Sequence, residues 1–238
     1  MKKAIITGAS SGIGMELARV LSENGYILGL AARRKELLEN LSGKLPNQSY
    51  VREMDVTKPK DAVKGFRELV KQLGGLDLVV INAGMSITNY DLDPKPEQQM
   101  IDVNVSGFVT IAIEAVKFFE KQESGHIVGI SSIAALRGND RAPAYNASKA
   151  FVSNYMDGLR KKMERAAHSI AVTDIQPGFV DTPMIEGKTA FWVAPARKAA
   201  QQIFRAIKKR KKHAYITTRW RLIAWLLKLL PDTIYNKV

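Results

Sequence analysis

The stretch Tyr145-Asn-Ala-Ser-Lys149 sets a phenol and an ammonium four residues apart, which on a helix makes them neighbours on one face. Neither group alone is a useful acid or base near neutrality, since free tyrosine has a pKa near about 10 and lysine near about 10.4. With the two about 4 Å apart at an effective dielectric of about 20, the ammonium would favour the phenolate by roughly 4 kcal/mol. At about 1.36 kcal/mol per unit, the phenol pKa is expected to fall by up to ~3 units, before desolvation takes some back. A phenol tuned in this way can give a proton to an oxygen or take one from it. Ser132, thirteen residues upstream, adds a hydroxyl able to hold the same oxygen. The Tyr-x-x-x-Lys spacing occurs once, where seven tyrosines and 22 lysines would give roughly 0.6 by chance. Requiring the serine as well lowers that figure to about 0.04, so the three residues are read together.

A second pattern stands at the N-terminus, MKKAIITGASSGIG. Lys3–Thr7 is β-branched and apolar, the reading of a buried parallel strand, while Ile13, Leu17, Val20 and Leu21 recur at helical spacing. Gly8–Gly14 is therefore a turn from strand to helix. Without side chains a ligand can approach the backbone there, and the helix start offers unpaired N–H groups and a positive dipole end. That combination suits a pyrophosphate.

The elements that must position these groups alternate along the whole chain. Strands are predicted at Lys3–Thr7, Tyr26–Ala32, Ser49–Val56, Leu76–Asn82, His126–Ser132, Ile170–Gln176 and Ala214–Thr218. Helices are predicted near Ile13–Asn24, Glu36–Leu45, Lys60–Leu73, Glu97–Lys121, Pro143–Ala167 and Pro195–Lys212, with Gly25, Gly74 and Gly75 at expected helix ends. Runs such as Leu76-Asp-Leu-Val-Val-Ile are nearly continuous in apolar residues, as strands covered on both faces require. The expected architecture is α/β: one doubly wound parallel sheet of about seven strands, Rossmann-type, with helices on both faces. No linker or repeat divides residues 1–238, which are read as a single domain ending in a basic amphipathic segment, 205–238.

Gly8-x-x-x-Gly12-x-Gly14, Asn82-Ala83-Gly84, Asn104, Ser132 and Tyr145-x-x-x-Lys149 follow one another in an order that resembles the short-chain dehydrogenase/reductase family from about Lys3 to Thr182. The resemblance implies a hydride transfer between a nicotinamide cofactor and a ketone or secondary alcohol. Ser132, Tyr145 and Lys149 would be the catalytic set, and Asn104 a fourth member holding a water behind Lys149. Tyr145 would handle the substrate proton, and Lys149 would also bond the nicotinamide ribose. Gly8, Ser10, Ser11, Gly12, Ile13 and Gly14 would form the pyrophosphate turn, with Asn82, Ala83 and Gly84 beside the cofactor. Asp55 and Val56 would meet the adenine, and Pro177, Gly178, Val180 and Thr182 the nicotinamide end. The family usually has two asparagines before Ala-Gly; here the first position is Ile81.

The second strand ends Ala31-Ala32-Arg33-Arg34. NAD-using members carry an acidic residue where Ala32 stands, to accept from the ribose 2′-hydroxyl. Two arginines beside a missing carboxylate favour a 2′-phosphate through charge-assisted bonds, so NADP(H) is expected over NAD(H).

Composition is that of a globular protein, 46% hydrophobic and 25% charged. There are no cysteines, and His126, His168 and His213 have no ligand-like spacing, so no metal site is expected. No signal-peptide pattern precedes the first strand, which points to the cytoplasm. The net charge of +13 is concentrated late: residues 205–238 hold ten Lys/Arg and one Asp. A tail of this kind is not a nucleic-acid-reading face, and no nucleic-acid partner is expected. Pro183–Ala194, with Met184, Ile185, Phe191, Trp192 and Val193, is read either as a lid over an apolar substrate or as a loop packed on its own domain. Trp220–Leu230 is apolar except for Arg221 and Lys228, seven apart on one narrow stripe, and is too short to span a bilayer. Three roles stay open for 208–230: peripheral membrane contact, a cover for the substrate pocket, or a subunit interface. Family resemblance implies a homo-dimer or homo-tetramer, for which Phe151, Val152, Tyr155 and Met156 could supply an interface. The alternative to an enzyme is a catalytically silent cofactor-binding scaffold.

Overall fold

The computed structural model describes residues 1–166, 169–185, 191–229, 231 and 233. His168 and the middle of the expected lid, residues 186–190, lie outside the described residues, as do Leu230 and the side chain of Lys228.

The chain runs β1 (Lys2–Thr7), α1 (Gly12–Glu23), β2 (Tyr26–Ala32), α2 (Lys35–Ser42), β3 (Ser49–Glu53), α3 (Pro59–Leu73), β4 (Leu78–Ile81), α4 (Pro94–Ile101), α5 (Phe108–Gln122), β5 (Ser124–Ile130), α6 (Pro143–Arg165), β6 (Ser169–Pro177), β7 (Val180–Asp181), β8 (Ala194–Pro195), α7 (Ala196–Lys208), β9 (His213–Ile216) and α8 (Trp220–Leu229). Seven strands form one parallel sheet in the order β3-β2-β1-β4-β5-β6-β9. Alternate strand residues feed two cores. Ala4, Ile6, Leu78 and Val80 pack with α1, α2 and α7, whereas Ile5, Val79 and Ile81 pack with α3, α5 and α6. Ile81, in place of the family's first asparagine, is thus a core residue. Sheet order reverses between β1 and β4, and this opens a crevice at the carboxyl ends of the strands.

Four expectations are corrected. The single helix predicted over Glu97–Lys121 is three pieces: α4, a wider π-type turn at Asp102–Gly107, and α5. The third strand stops at Glu53, so Asp55 and Val56 lie beyond its end. Val152 and Met156 are buried in the core and offer no interface; only Phe151 and Tyr155, stacked at 5.6 Å, reach the outside of α6. Finally, the basic run Lys208–Lys212 and helix α8 do not form one patch. They flank opposite ends of β9, whose four residues at about 3.3 Å each keep them at least ~10 Å apart.

Candidate active site

Everything that the spacing singled out converges on the crevice. A cavity of about 1100 Å³ runs across it, between the glycine turn and the start of α6. All the expected catalytic and cofactor residues line it except two, Gly14 and Asn104.

The turn end is built from backbone. Gly8 sits at φ +68°, in the left-handed region, and passes so close to β4 that a methyl there would lie 2.8 Å from the Ala83 Cα. Gly14 stands behind the turn rather than on its wall: a methyl would fall 2.4 Å from the Gly8 carbonyl oxygen. Its smallness lets α1 approach the strand ends. The Asn82 side-chain amide donates to the carbonyls of Thr7 and Gly8 at 3.1 and 3.0 Å, fixing turn against sheet. Ser11 caps α1 without a side-chain bond, and Gly12 and Ile13 of the first helical turn line the cavity. Arg34 folds back over this turn, donating to Ser10 Oγ at 3.0 Å and Ser11 Oγ at 2.7 Å. Arg33 is exposed beside it, and Ala32 closes β2 with no carboxylate. Burial raises the Asp55 carboxyl, but bonds from Thr57 and the charges of Arg33 and Lys58 outweigh it and leave the group below its ordinary value.

At the other end, α6 carries Tyr145 and Lys149 into the cavity. Glu97 accepts from the Ala144 N–H at 3.0 Å and Asn146 donates to the carbonyls of Ala134 and Arg137, so the helix start is tied to the short turn that follows Ser132. Ser132 Oγ accepts from the Ala134 N–H at 3.1 Å, has a long contact, 3.5 Å, to the Pro177 carbonyl, and is hydrogen-bonded to the Tyr145 phenol. Lys149 is buried; Nζ donates to the Ile130 carbonyl at 3.0 Å and lies 5.8 Å from the Tyr145 ring centre. Burial pushes this ammonium down to about 8, against a smaller upward pull from Asp174.

The phenol departs from expectation. Tyr145 is raised above its ordinary value, because burial disfavours the phenolate by more than the hydrogen-bonded Ser132 hydroxyl restores. Lys149, turned to a backbone carbonyl, does not produce the predicted drop. Tyr145 is accordingly a protonated phenol at neutral pH, suited to donating a proton.

Asn104 lies on the π-type turn, fully buried. Its oxygen accepts from the Met85 N–H at 2.9 Å, and its amide donates to the Met85 carbonyl at 2.9 Å and to Ser148 Oγ at 3.0 Å. It flanks Lys149 across Gly84, where a methyl would sit 3.2 Å from Nζ and 3.3 Å from the Asn104 oxygen. Ser131 also lines the cavity, but its hydroxyl is committed elsewhere, donating to Asp174 at 2.5 Å and to the Ile175 carbonyl. Asp174 also accepts from Ser153 and Gln176 and meets His213 at 3.3 Å. Burial raises it, but these bonds more than compensate and leave the carboxyl lowered. His126 is a buried core histidine, bonded to Thr173 at 2.8 Å and pushed down to about 4 by burial. Among the described residues no cluster of three metal-ligating side chains occurs.

The far wall of the cavity settles which residues of the tail and loop cover it, a role the sequence left open among three for the tail. Trp220, Ile223 and Leu227 of α8 line it together with Phe179, Met184 and Phe191. Trp220 packs flat on Gly178, where any side chain would collide with the indole, and its ring meets Phe179 at 5.4 Å and Phe191 at 5.2 Å. Its indole N–H is buried without a hydrogen-bond partner among the described residues. The loop base is held by β7 and β8, which pair with each other. The signal for this wall was the i, i+3, i+7 spacing of 220, 223 and 227, masked by a second apolar stripe on the same helix.

Comparison with known proteins fits this architecture. A family model of short chain dehydrogenases matches residues 2–191. An uncharacterized oxidoreductase of Staphylococcus epidermidis is 34% identical over 188 residues, 78% of this chain and 81% of the relative. One from Staphylococcus aureus is 37% identical over 186 residues, 76% and 79% of the two chains. The fold is similar to that of a short chain dehydrogenase/reductase from Burkholderia phymatum in complex with NAD, with TM-score 0.87, 20% identity and coverage of 94% and 92%. It is also similar to an alcohol dehydrogenase from Thermococcus sibiricus complexed with 5-hydroxy-NADP, with TM-score 0.81, 22% identity and coverage of 91% and 96%. The chain belongs to the short-chain dehydrogenase family and is an oxidoreductase.

Proposed function

We propose that the protein is an NADP(H)-dependent oxidoreductase that interconverts a ketone and a secondary alcohol, with an apolar substrate. The observation that carries this reading is the shared cavity: a backbone turn suited to a pyrophosphate at one end, and Ser132, Tyr145 and Lys149 at the other. The residues fit a dinucleotide, because Gly8, Gly12 and the first turn of α1 line the cavity and Ser11 caps that helix without a side-chain bond, so a phosphate could approach backbone and helix start together. Gly8, Gly12 and the first turn of α1 would hold the phosphates, Asp55 and Val56 the adenine, and Lys149 the nicotinamide ribose, with Val180 and Thr182 nearby. When bound, the nicotinamide supplies the hydride for the carbonyl carbon.

The chain's own residues do the rest. Ser132 donates to the carbonyl oxygen and holds it beside Tyr145. Tyr145, protonated at neutral pH, gives its phenolic proton to that oxygen as negative charge grows there, a contribution of about 10²–10⁴ in rate. Lys149, still an ammonium below pH about 8, keeps a positive charge 5.8 Å from the Tyr145 ring centre. Asn104, bonded to the Met85 backbone and Ser148 and separated from Lys149 by Gly84, would hold a water behind Lys149. The aromatic wall of Phe179, Phe191 and Trp220 excludes water and favours apolar substrates.

Cofactor choice is tested by titrating the protein with NADPH and NADH at equal ionic strength. NADPH is expected to bind at least about tenfold tighter, about 1.4 kcal/mol, and Arg33→Ala to remove most of that difference without weakening NADH. Equal affinities would make Arg33 and Arg34 surface charges and overturn the assignment.

A further inference from the structure

Helix α8 has two apolar stripes, and only one is used. Trp220, Ile223, Ala224 and Leu227 turn inward; Trp220 is 2% exposed and Ala224 0%. Leu222, Trp225, Leu226 and Leu229, at i, i+3, i+4 and i+7, form the opposite stripe and are 71%, 65%, 55% and 78% exposed. The inner stripe is the wall of the cavity, and the Arg137 side chain secures the helix by donating to the Leu227 carbonyl at 2.9 Å.

The exposed stripe does not stand alone. Phe191 and Trp192, also exposed, meet the Trp220 ring at 5.2 and 6.4 Å, so the rim of the cavity mouth and the helix share one aromatic cluster. Arg219 stacks on Trp192 at 5.3 Å and bonds its carbonyl, and Arg221 is exposed at the first turn of α8. The charges beside the stripe have one sign: Arg219 and Arg221 stand at its start, and the sequence from Gly187 to Pro231 holds no acidic residue; Lys208–Lys212, at the far end of β9, takes no part. A second copy meeting this face would bring the same arginines together, which is unfavourable. An anionic lipid surface matches both features, since its headgroups attract the cations and its acyl boundary accepts tryptophan and leucine. No helix among the described residues is long and apolar enough to cross a membrane, so α8 would lie along the surface.

We propose that the outer stripe of α8, with Phe191 and Trp192, docks on an anionic lipid surface, so that the cavity mouth faces the membrane and receives apolar carbonyl substrates from it. The delivery of substrate rests on the reductase reading above; the docking does not.

The test is sedimentation of the full chain with phosphatidylcholine vesicles containing or lacking about 30 mol% phosphatidylglycerol. Binding is expected to the anionic vesicles, to fall with salt, and to drop at least about tenfold in W225E/L226E. Arg221→Glu is expected to weaken it about fivefold or more. Trp225 and Leu226 lie outside the cavity lining, so NADPH titration and turnover of a short soluble ketone by W225E/L226E should match wild type. Those readouts separate failure of docking from failure of the reductase reading and show that the variant is folded. Absence of vesicle binding by the wild type, or binding unchanged in W225E/L226E, overturns the proposal. A wild-type dimer that becomes monomeric in W225E/L226E, with no vesicle binding, assigns the face to a second copy and overturns it equally.

Discussion

The two ends of the cavity are made of different materials. The turn end is backbone held at close approach: Gly8 against Ala83, Gly14 against the Gly8 carbonyl, Asn82 bonded to both Thr7 and Gly8. The α8 end is a wall of large side chains, with Trp220 wedged on Gly178 between Phe179 and Phe191. Positions where a Cβ would fall within 3 Å of neighbouring backbone tolerate only glycine, whereas an apolar wall tolerates any set of side chains of similar volume. The first end is thus tied to one ligand shape, and the second is free to set which substrate is accepted.

The largest expected effect comes from crowding the rigid end. Gly14→Ala places its methyl 2.4 Å from the Gly8 carbonyl, so the turn must open. A loss of about 1–3 kcal/mol in stability is expected from the overpacking, together with loss of dinucleotide binding by more than about 100-fold. Denaturant unfolding and cofactor titration measure the two effects; unchanged affinity would show that the turn is not the phosphate site. The same scale of truncation at the other end should act differently. Ile223→Ala with Leu227→Ala is expected to leave cofactor affinity intact while changing the kcat/KM ratio between bulky and small ketones by about tenfold. Equal losses for cofactor and substrate would erase the contrast between the two ends.

That contrast also explains what the sequence made legible. The glycine turn, the serine and the Tyr–Lys pair were readable because each requires a particular residue at a fixed spacing, and the alternation of apolar runs with helical periodicity placed them on a parallel sheet. The π-type turn that carries Asn104 was not readable: one widened turn leaves no compositional mark in an otherwise helical run. The roles of α8 were hidden because both its stripes are apolar, so periodicity could not say which one faces inward. The position of Lys208–Lys212 at the far end of β9 is a consequence of strand direction, which charge counting does not register. The state of Tyr145 followed from burial and from Lys149 turning to Ile130, neither of which spacing contains.

The central claim, that Tyr145 donates the substrate proton in a reductase, is tested most directly by following NADPH oxidation by wild type and Tyr145→Phe with a series of aliphatic and aromatic ketones. Turnover is predicted for the wild type and a fall of about 10²–10⁴ in kcat for Tyr145→Phe, with NADPH affinity unchanged. Equal rates in the two proteins would remove Tyr145 from the chemistry, and tight NADPH binding with no turnover of any ketone would make the protein a cofactor-binding scaffold instead.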